Sequence, residues 1–571
     1  MGQMMKAGLF RLMAAASVIC LSAGSAGARS LEIDSTLFYS NQILACPTDS
    51  SITIRVVPRA ALRMYYEYGA SSSSYSSQSE TIQTTPSVPA VITLKNLLPN
   101  TRYFYRLRYQ IPGSSSFIAG DGCTFTTRRS KGSTFVFTIT CDSHLYDKKG
   151  IPSMMEVTMG NIAADRPDFD FEMGDTFGDD HTPATTTLQD MMQLHLNTMK
   201  YIGLVCHSAP FLFVLGNHEG ESGYYMNQTP PNNIAVYGTL ARKYYYSFPS
   251  PGGMYTGNST VEPYGIGLPQ NYYAFEWGDA LFVILDVYRY PTASDSPGLW
   301  DWTLGKEQYD WLKQTLESSS AKFRFVFAHH VRGYGRGAVA IAKNFEWGGY
   351  ENNGTTWGFS TNRPGWAMPV HQLMVRNGVN IFFQGHDHLF AQEVLDGLIY
   401  QECPMPSDST YMIGYLANAD AYTSNQLNGS GHIRVTVSPT QTKVDYVQAY
   451  LPRDTNAVQR NGRIAFSYTV LPKITAIDPG QASPPMFELG QNFPNPFNPS
   501  TAISFQLPAV SFVSIEVFDL LGRKVTTLVN EVCQPGQHTV RWDGAGSPSG
   551  VYYYRLHALG AVATKKAILI R

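Results

Sequence analysis

The chain has 571 residues, of which 43% are hydrophobic and 15% charged, with 49 Gly, 34 Pro and 13% aromatics. That length exceeds one hydrophobic core and implies roughly two to four domains, and the composition excludes a mainly helical protein in favour of a strand-rich and loop-rich one. A formal net charge of −2 supplies no global field to recruit nucleic acid or an anionic membrane, so no nucleic-acid partner is expected.

At the N-terminus, Lys6 and Arg11 flank and enter the apolar stretch LFRLMAAASVICLSAG, which leads to Ala26-Gly27-Ala28. A basic start, an apolar middle and an A-x-A end predict a cleavable signal peptide over residues 1–28. The run is interrupted by Arg11, Ser17 and Ser22, too short for a membrane anchor, and no other stretch approaches ~20 apolar residues. The mature form is therefore expected to lack a transmembrane segment and to be secreted or attached to the cell surface. Seven cysteines (20, 46, 123, 141, 206, 403, 533) form no C-x-x-C pair, which excludes a zinc ribbon or a dithiol redox motif. Cys46 and Cys123 either join two N-terminal strands or remain separate buried thiols.

Residues 31–129 read as short strands with turns between them: SITIRVVP, LRMYYEYG, VPAVITLKNL, RYFYRLRYQ and CTFTTR. Strands at this spacing predict a small all-β sandwich, with the serine run 71–80 as an exposed loop. Leu94, Leu97, Pro99, Thr101, Tyr103 and Tyr105 resemble the corresponding stretch of fibronectin type III domains.

From 133 to 472 the pattern changes. Runs that are apolar at every position (FVFTIT, DFDFEM, FLFVL, ALFVIL, FRFVFA, VNIFF) alternate with helical segments such as LQDMMQLHLNTM, EQYDWLKQTLESS and HQLMVRNG. Strands of that kind are covered on both faces, so a layered α/β domain is predicted. Within it, residues 331–366 form a long Gly/Trp/Asn-rich loop whose Arg332, Arg336, Trp347, Trp357, Arg363 and Trp366 either line a site mouth or pin the loop. Residues 473–486 read as a Pro/Gly/Ser linker, and 487–571 as a second all-β sandwich.

The chemistry lies at the ends of the apolar runs. FVFTITCDSH supplies Asp142 and His144, DFDFEMGD supplies Asp175, and FLFVLGNHE supplies Asn217, His218 and Glu219. FRFVFAHH supplies His329 and His330, and NIFFQGHDH supplies His386 and His388. Loops at one end of α/β strands converge on one site, and so many imidazoles and carboxylates together are costly without a cation to neutralise them. Three carboxylate or amide oxygens and four imidazoles exceed what one four-coordinate zinc takes, so two metal ions are expected. The ligand mixture suits Fe, Mn or Zn over Ca or Mg. Asp387 lies between two ligands, and alternation points it away from them. Asp286 is read as a turn cap, and His181, His195, His207, His371, His432, His538 and His557 as surface or core residues.

The ordered set D-x-H, G-D, G-N-H-E, H and G-H-x-H resembles the calcineurin-like metallophosphoesterase superfamily. The resemblance implies an α/β/β/α layered catalytic domain and a phosphoester substrate. It assigns Asp142, His144 and His388 to one ion, Asp175 as the bridge, and Asn217, His329 and His386 to the other. It makes His218 the transition-state donor or leaving-group acid with Glu219 orienting it, while a hydroxide bridging the ions attacks phosphorus in line. His330 and Arg332 are candidate substrate contacts. The pairing with an N-terminal sandwich is similar to purple acid phosphatases. Their first motif, however, has Gly where His144 stands, and their ligating Tyr would fall at Gly178. The tail, FELGQNFPNPFNPST through Asp519, Gly522-Arg523, Trp542-Asp543-Gly544 and SGVYYYRL, resembles the sorting domain of type IX secretion substrates, which implies that machinery as a partner. The reading is a secreted dinuclear-metal phosphomonoesterase. The alternatives are a phosphodiesterase or nucleotide hydrolase of the same superfamily, and a non-catalytic surface-binding protein with a structural metal site.

Overall fold

The computed structural model describes residues 33–473 and 488–570, except Ser73, 179–180, 292–298, Tyr334, 416–418, 508–510, Pro535 and 559–560. The expected signal peptide and almost all of the expected linker lie outside the described residues. The chain divides into two compact units, Met1–Thr475 and Ala476–Arg571.

The first unit begins with a β-sandwich. One sheet holds Ile43–Ala45, Ser51–Val56 and Ala90–Lys95; the other is built on Arg63–Gly69 and Arg102–Gln110. Burial alternates strictly along Ser51–Val56 and Arg102–Gln110, because each strand has one face on the core and one towards solvent. Tyr66, Tyr105, Phe125 and Leu94 fill the space between the sheets. The serine run is largely exposed, with Ser77–Gln78 pairing onto Glu67 and Tyr68 at the edge. The six described cysteines are free thiols: Cys46 and Cys123 are not joined, and Gln42 Nε2 donates to Cys123 Sγ at 3.2 Å. The sandwich is tied to the domain that follows by Tyr105 Oη donating to the His207 carbonyl (2.6 Å) and by Arg55 Nε donating to Ser247 Oγ (2.6 Å).

Two mixed sheets face each other in the central domain. The first runs in the order Phe211–Phe213, Phe169–Glu172, Phe135–Thr140, Ser430–Val437, Thr442–Ala449, Arg463–Val470, with its first three strands parallel. The second carries the parallel set Ala280–Ile284, Phe323–Phe327, Ile381–Gln384 and Leu398–Glu402, with antiparallel strands at both edges. Phe137, Phe169, Phe171, Phe282, Phe325, Phe327 and Phe383 interlock between the sheets at ring separations of 4.4–6.3 Å. Helices Pro152–Asp165 and Leu188–Cys206 cover the outer face of the first sheet, and Lys306–Ser318 and Val370–Arg376 that of the second. This is the expected α/β/β/α layering. It explains the uninterrupted apolar runs, since both faces of each central strand are buried.

The 331–366 loop folds into three short helices, Val339–Ala342, Phe345–Gly348 and Phe359–Asn362. Trp347 is buried and donates to Tyr400 Oη, Trp366 stacks on Tyr309 at 4.0 Å, and Arg363 pairs with Glu346. Of the two readings of this loop, these aromatics pin it.

In the second unit, one sheet holds Glu488–Leu489, Ser500–Leu507 and Gly536–Asp543. The other runs Lys524–Cys533, Ser511–Phe518, Gly550–Ala558, Ala561–Leu569. Trp542, Tyr554, Ile503 and Ile515 are buried between them, and Asp519 closes a turn by accepting from the Leu521 and Arg523 amides.

Candidate metal centre

Five parallel strands end on one rim, and the residues just beyond them converge. Asp142 and His144 follow Phe135–Thr140; Asp175 follows Phe169–Glu172; Asn217 and His218 follow Phe211–Phe213. His329 follows Phe323–Phe327, and His386 and His388 follow Ile381–Gln384. The backbone is strained here. Asp142 (φ 60°), His144 (44°), Asp175 (55°), His386 (77°) and His388 (57°) all adopt the left-handed region, each at a cost of about 1–3 kcal/mol. The surrounding loops hold that conformation. The Asp142 amide donates to the Gly174 carbonyl (3.0 Å), His386 N to Asp142 Oδ2 (2.8 Å) and His218 N to Asp175 Oδ1 (2.9 Å). Such close approach demands glycine: a Cβ at Gly385 would stand 1.8 Å from Cys141 Sγ. At Gly178 a Cβ would lie 1.9 Å from the His218 carbonyl, so no tyrosine fits at this position.

Four overlapping groups of donors result among the described residues, including Cys141, Asp142 and His329, and His144, Asp175 and His218. The ligand atoms of Asp142, His144 and His388 lie within 4.8 Å of one another, as do those of Asp175, His329 and His386. His144 Nε2 and His388 Nε2 are 3.0 Å apart, and Asn217 Oδ1 lies 2.9 Å from His386 Nδ1. Asp175 Oδ2 stands between the groups, 3.3 Å from His329 Nε2 and 3.8 Å from His144 Nε2. Outer hydrogen bonds aim the rings. His329 Nδ1 bonds the Met173 carbonyl (2.7 Å) and His388 Nδ1 the Tyr415 carbonyl (3.0 Å), which turns each Nε2 inward.

The electrostatics fit cations. Asp142 Oδ1 and His329 Nε2 are buried without a hydrogen-bond partner among the described residues, the state of atoms shaped to hold something else. Burial opposes charge on Asp175, but the His329, His218 and His144 imidazoles outweigh it and hold the carboxyl well below its ordinary range. Burial would likewise lower His329, yet the Asp175 and Asp142 carboxylates outweigh it and raise it to about 10. His388 is pushed down to about 4, chiefly by burial, and His386 falls well below its usual value by burial and the neighbouring His330 and His329. Both stand neutral, the state in which an imidazole could hold a metal ion.

His218 extends over this group, its Nε2 3.9 Å from Asp175 Oδ2. Glu219 has a role that the motif alone does not reveal. Its carboxylate accepts from the backbone amides of Asp175, Thr176, Phe177 and Gly216 at 2.6–3.2 Å, which clamps the Asp175 loop. His330 is fully buried beside His386, ring centroids 4.7 Å apart, and Arg332 lays its guanidinium over the Phe345 ring at 4.6 Å. Asp387 points away from the ligands and binds Arg336, the Gly337 amide and Tyr422 Oη. Asp286 caps its turn through the Tyr288 and Arg289 amides.

Sequence reasoning missed the mouth of the centre. Asp147 Oδ2 lies 3.2 Å from His144 Nδ1 and 2.8 Å from Lys149 Nζ, and Tyr146 Oη lies 3.0 Å from His144 Nδ1. His181, read above as a surface or core residue, stands with its ring 5.2 Å from that of His218 and its Nε2 3.7 Å from Asp147. The available signal was proximity along the chain, since each follows a ligand by two to six residues.

A layered α/β domain with this donor set at its strand ends defines a metal-dependent phosphoester hydrolase. Residues 135–390 match the family model of the calcineurin-like phosphoesterases. Residues 491–570 match the secretion system C-terminal sorting domain, which marks the chain for export. Among solved structures, that of PhoD superposes with a TM-score of 0.53 at 15% identity, covering 77% of this chain and 91% of the other. A purple acid phosphatase from yellow lupin (Lupinus luteus) seeds gives 0.50 at 15% identity, covering 76% and 74%. At that identity the likeness is one of fold. No curated protein matches the chain.

Proposed function

We propose that the protein is an exported phosphomonoesterase with a dinuclear centre, carried to the outside by type IX secretion. In this reading a signal peptide and an N-terminal fibronectin type III-like domain precede the catalytic domain of residues 133–472, and the sorting domain occupies 487–571. The observation that carries it is the pair of donor groups sharing Asp175 as their midpoint. Asp142, His144 and His388 would hold one ion, Asn217, His329 and His386 the other, with Asp175 shared. Bound there, Fe, Mn or Zn ions supply Lewis acidity that activates water and neutralises charge on phosphate.

The chain's own residues do the rest. His218, half-exposed at the rim, is placed to give a proton to the leaving oxygen. Glu219 keeps Asp175 in its strained conformation through four backbone amides. His330, beside His386, is the candidate substrate contact, with Arg332 following it in the chain over the Phe345 ring.

Turnover of an aryl monophosphate and a bis-aryl phosphate by the metal-loaded protein, alongside its His218→Ala variant, tests the proposal. The monoester is expected to be preferred. The variant is expected to keep its metal and lose roughly 10²–10⁴-fold in kcat. Preference for the diester would make the enzyme a phosphodiesterase. No turnover by either form would leave a binding protein with a structural metal site.

A further inference from the structure

Tyr288 follows the Ala280–Ile284 strand in the segment FVILDVYRY, and its backbone is held on both sides. Its amide donates to Asp286 Oδ1 at 2.8 Å, and its carbonyl accepts from the Gly223 amide at 2.9 Å. So fixed, the side chain turns inward beside the metal centre, its ring 6.0 Å from that of His329 and edge-on to Trp302 at 6.1 Å. The residue is 1% exposed, and its hydroxyl has no hydrogen-bond partner among the described residues. Of the charged groups around it, the Asp175 and Asp142 carboxylates act on the hydroxyl most strongly.

A buried phenol without a partner costs free energy, and phenylalanine would fill the same volume without that cost. Other unpartnered atoms at this place include Ser143 Oγ and, on expected ligand or candidate substrate residues, Asp142 Oδ1, His329 Nε2 and both nitrogens of His330. A hydroxyl is a donor, and a phosphoryl oxygen is the acceptor such a centre brings to it.

We propose that Tyr288 is a further catalytic residue, whose hydroxyl donates a hydrogen bond to a phosphoryl oxygen of the substrate bound at the metal centre. It contributes a neutral donor beside His329. This rests on the dinuclear reading above, which fails separately if the wild-type chain takes up no metal.

The test compares full-length wild type with Tyr288→Phe in three measurements. Metal content by elemental analysis is expected to be equal. Affinity for inorganic phosphate, titrated calorimetrically into the metal-loaded proteins, is expected to fall roughly tenfold or more in the variant. The thermal midpoint of the metal-free variant is expected to equal or exceed that of wild type, because the hydroxyl has no partner to lose. Unchanged phosphate affinity would overturn the assignment. So would a lower midpoint, which would reveal a structural bond. A visible absorption band in the ferric wild type that disappears in Tyr288→Phe would show a metal-bound phenolate, and would overturn it equally.

Discussion

The N-terminal sandwich and the central domain are both built from aromatic-rich strands, yet they use those strands differently. Along Arg102–Gln110 burial alternates and every second side chain meets solvent; along Phe323–Phe327 every side chain is buried. Strands covered on both faces are fixed by packing alone, so their ends can carry residues that are poor for stability. The central strands end in five left-handed, non-glycine residues and a cluster of unpartnered polar atoms, next to interlocked phenylalanines. None of the left-handed ligand conformations would persist without that rigid base. The sandwich supports one flank of this base through Tyr105 and Arg55.

The contrast is broken most severely at Asp175, the residue proposed to be shared by the two ions. Asp175→Ala removes the carboxylate common to both donor groups, and is expected to abolish stoichiometric metal binding and to lower phosphoester turnover by roughly 10²–10³-fold or more. Elemental analysis and kinetics check this, and circular dichroism should show an intact fold.

A smaller effect belongs to the acids beneath the rim. Asp170, buried under the outer helices and accepting from Thr138 Oγ1, is pushed up to about 7 by burial. Its folded-state value lies above the unfolded one (~4), so the folded chain holds an extra proton between those values. The stabilisation is full below pH ~4 and is lost as pH rises through about 7. Asp170→Asn is therefore expected to raise the thermal midpoint more at pH 8 than at pH 5, and an equal shift at both would contradict this.

The smallest effect lies at the seam. Tyr105→Phe removes the bond to the His207 carbonyl and should cost about 1 kcal/mol of stability in denaturant unfolding, with turnover unchanged.

Much of this was legible because apolar continuity and ligand chemistry coincide. FVFTIT, FRFVFA and NIFFQ announce buried strands, and Asp142, His329 and His386 stand just past their ends. The helix Pro152–Asp165 was harder to see: its buried stripe of Met154, Met155, Thr158, Met159 and Ile162 carries few of the charges that make an amphipathic pattern stand out. The motif suggested that Glu219 orients His218, but carboxylates that bind backbone amides leave no trace in spacing. His181 and Asp147 meet only because two loops fold over His144, and Tyr288 belongs to no motif in the sequence. Side chains whose role depends on a contact between loops cannot be read from periodicity.

The proposed centre binds two ions. Anomalous diffraction from crystals of the metal-loaded protein tests it directly. Two peaks about 3.5–4 Å apart are predicted, one against Asp142, His144 and His388, the other against Asn217, His329 and His386, with Asp175 between them. A single peak in that cluster, or two peaks without Asp175 in common, would contradict the account.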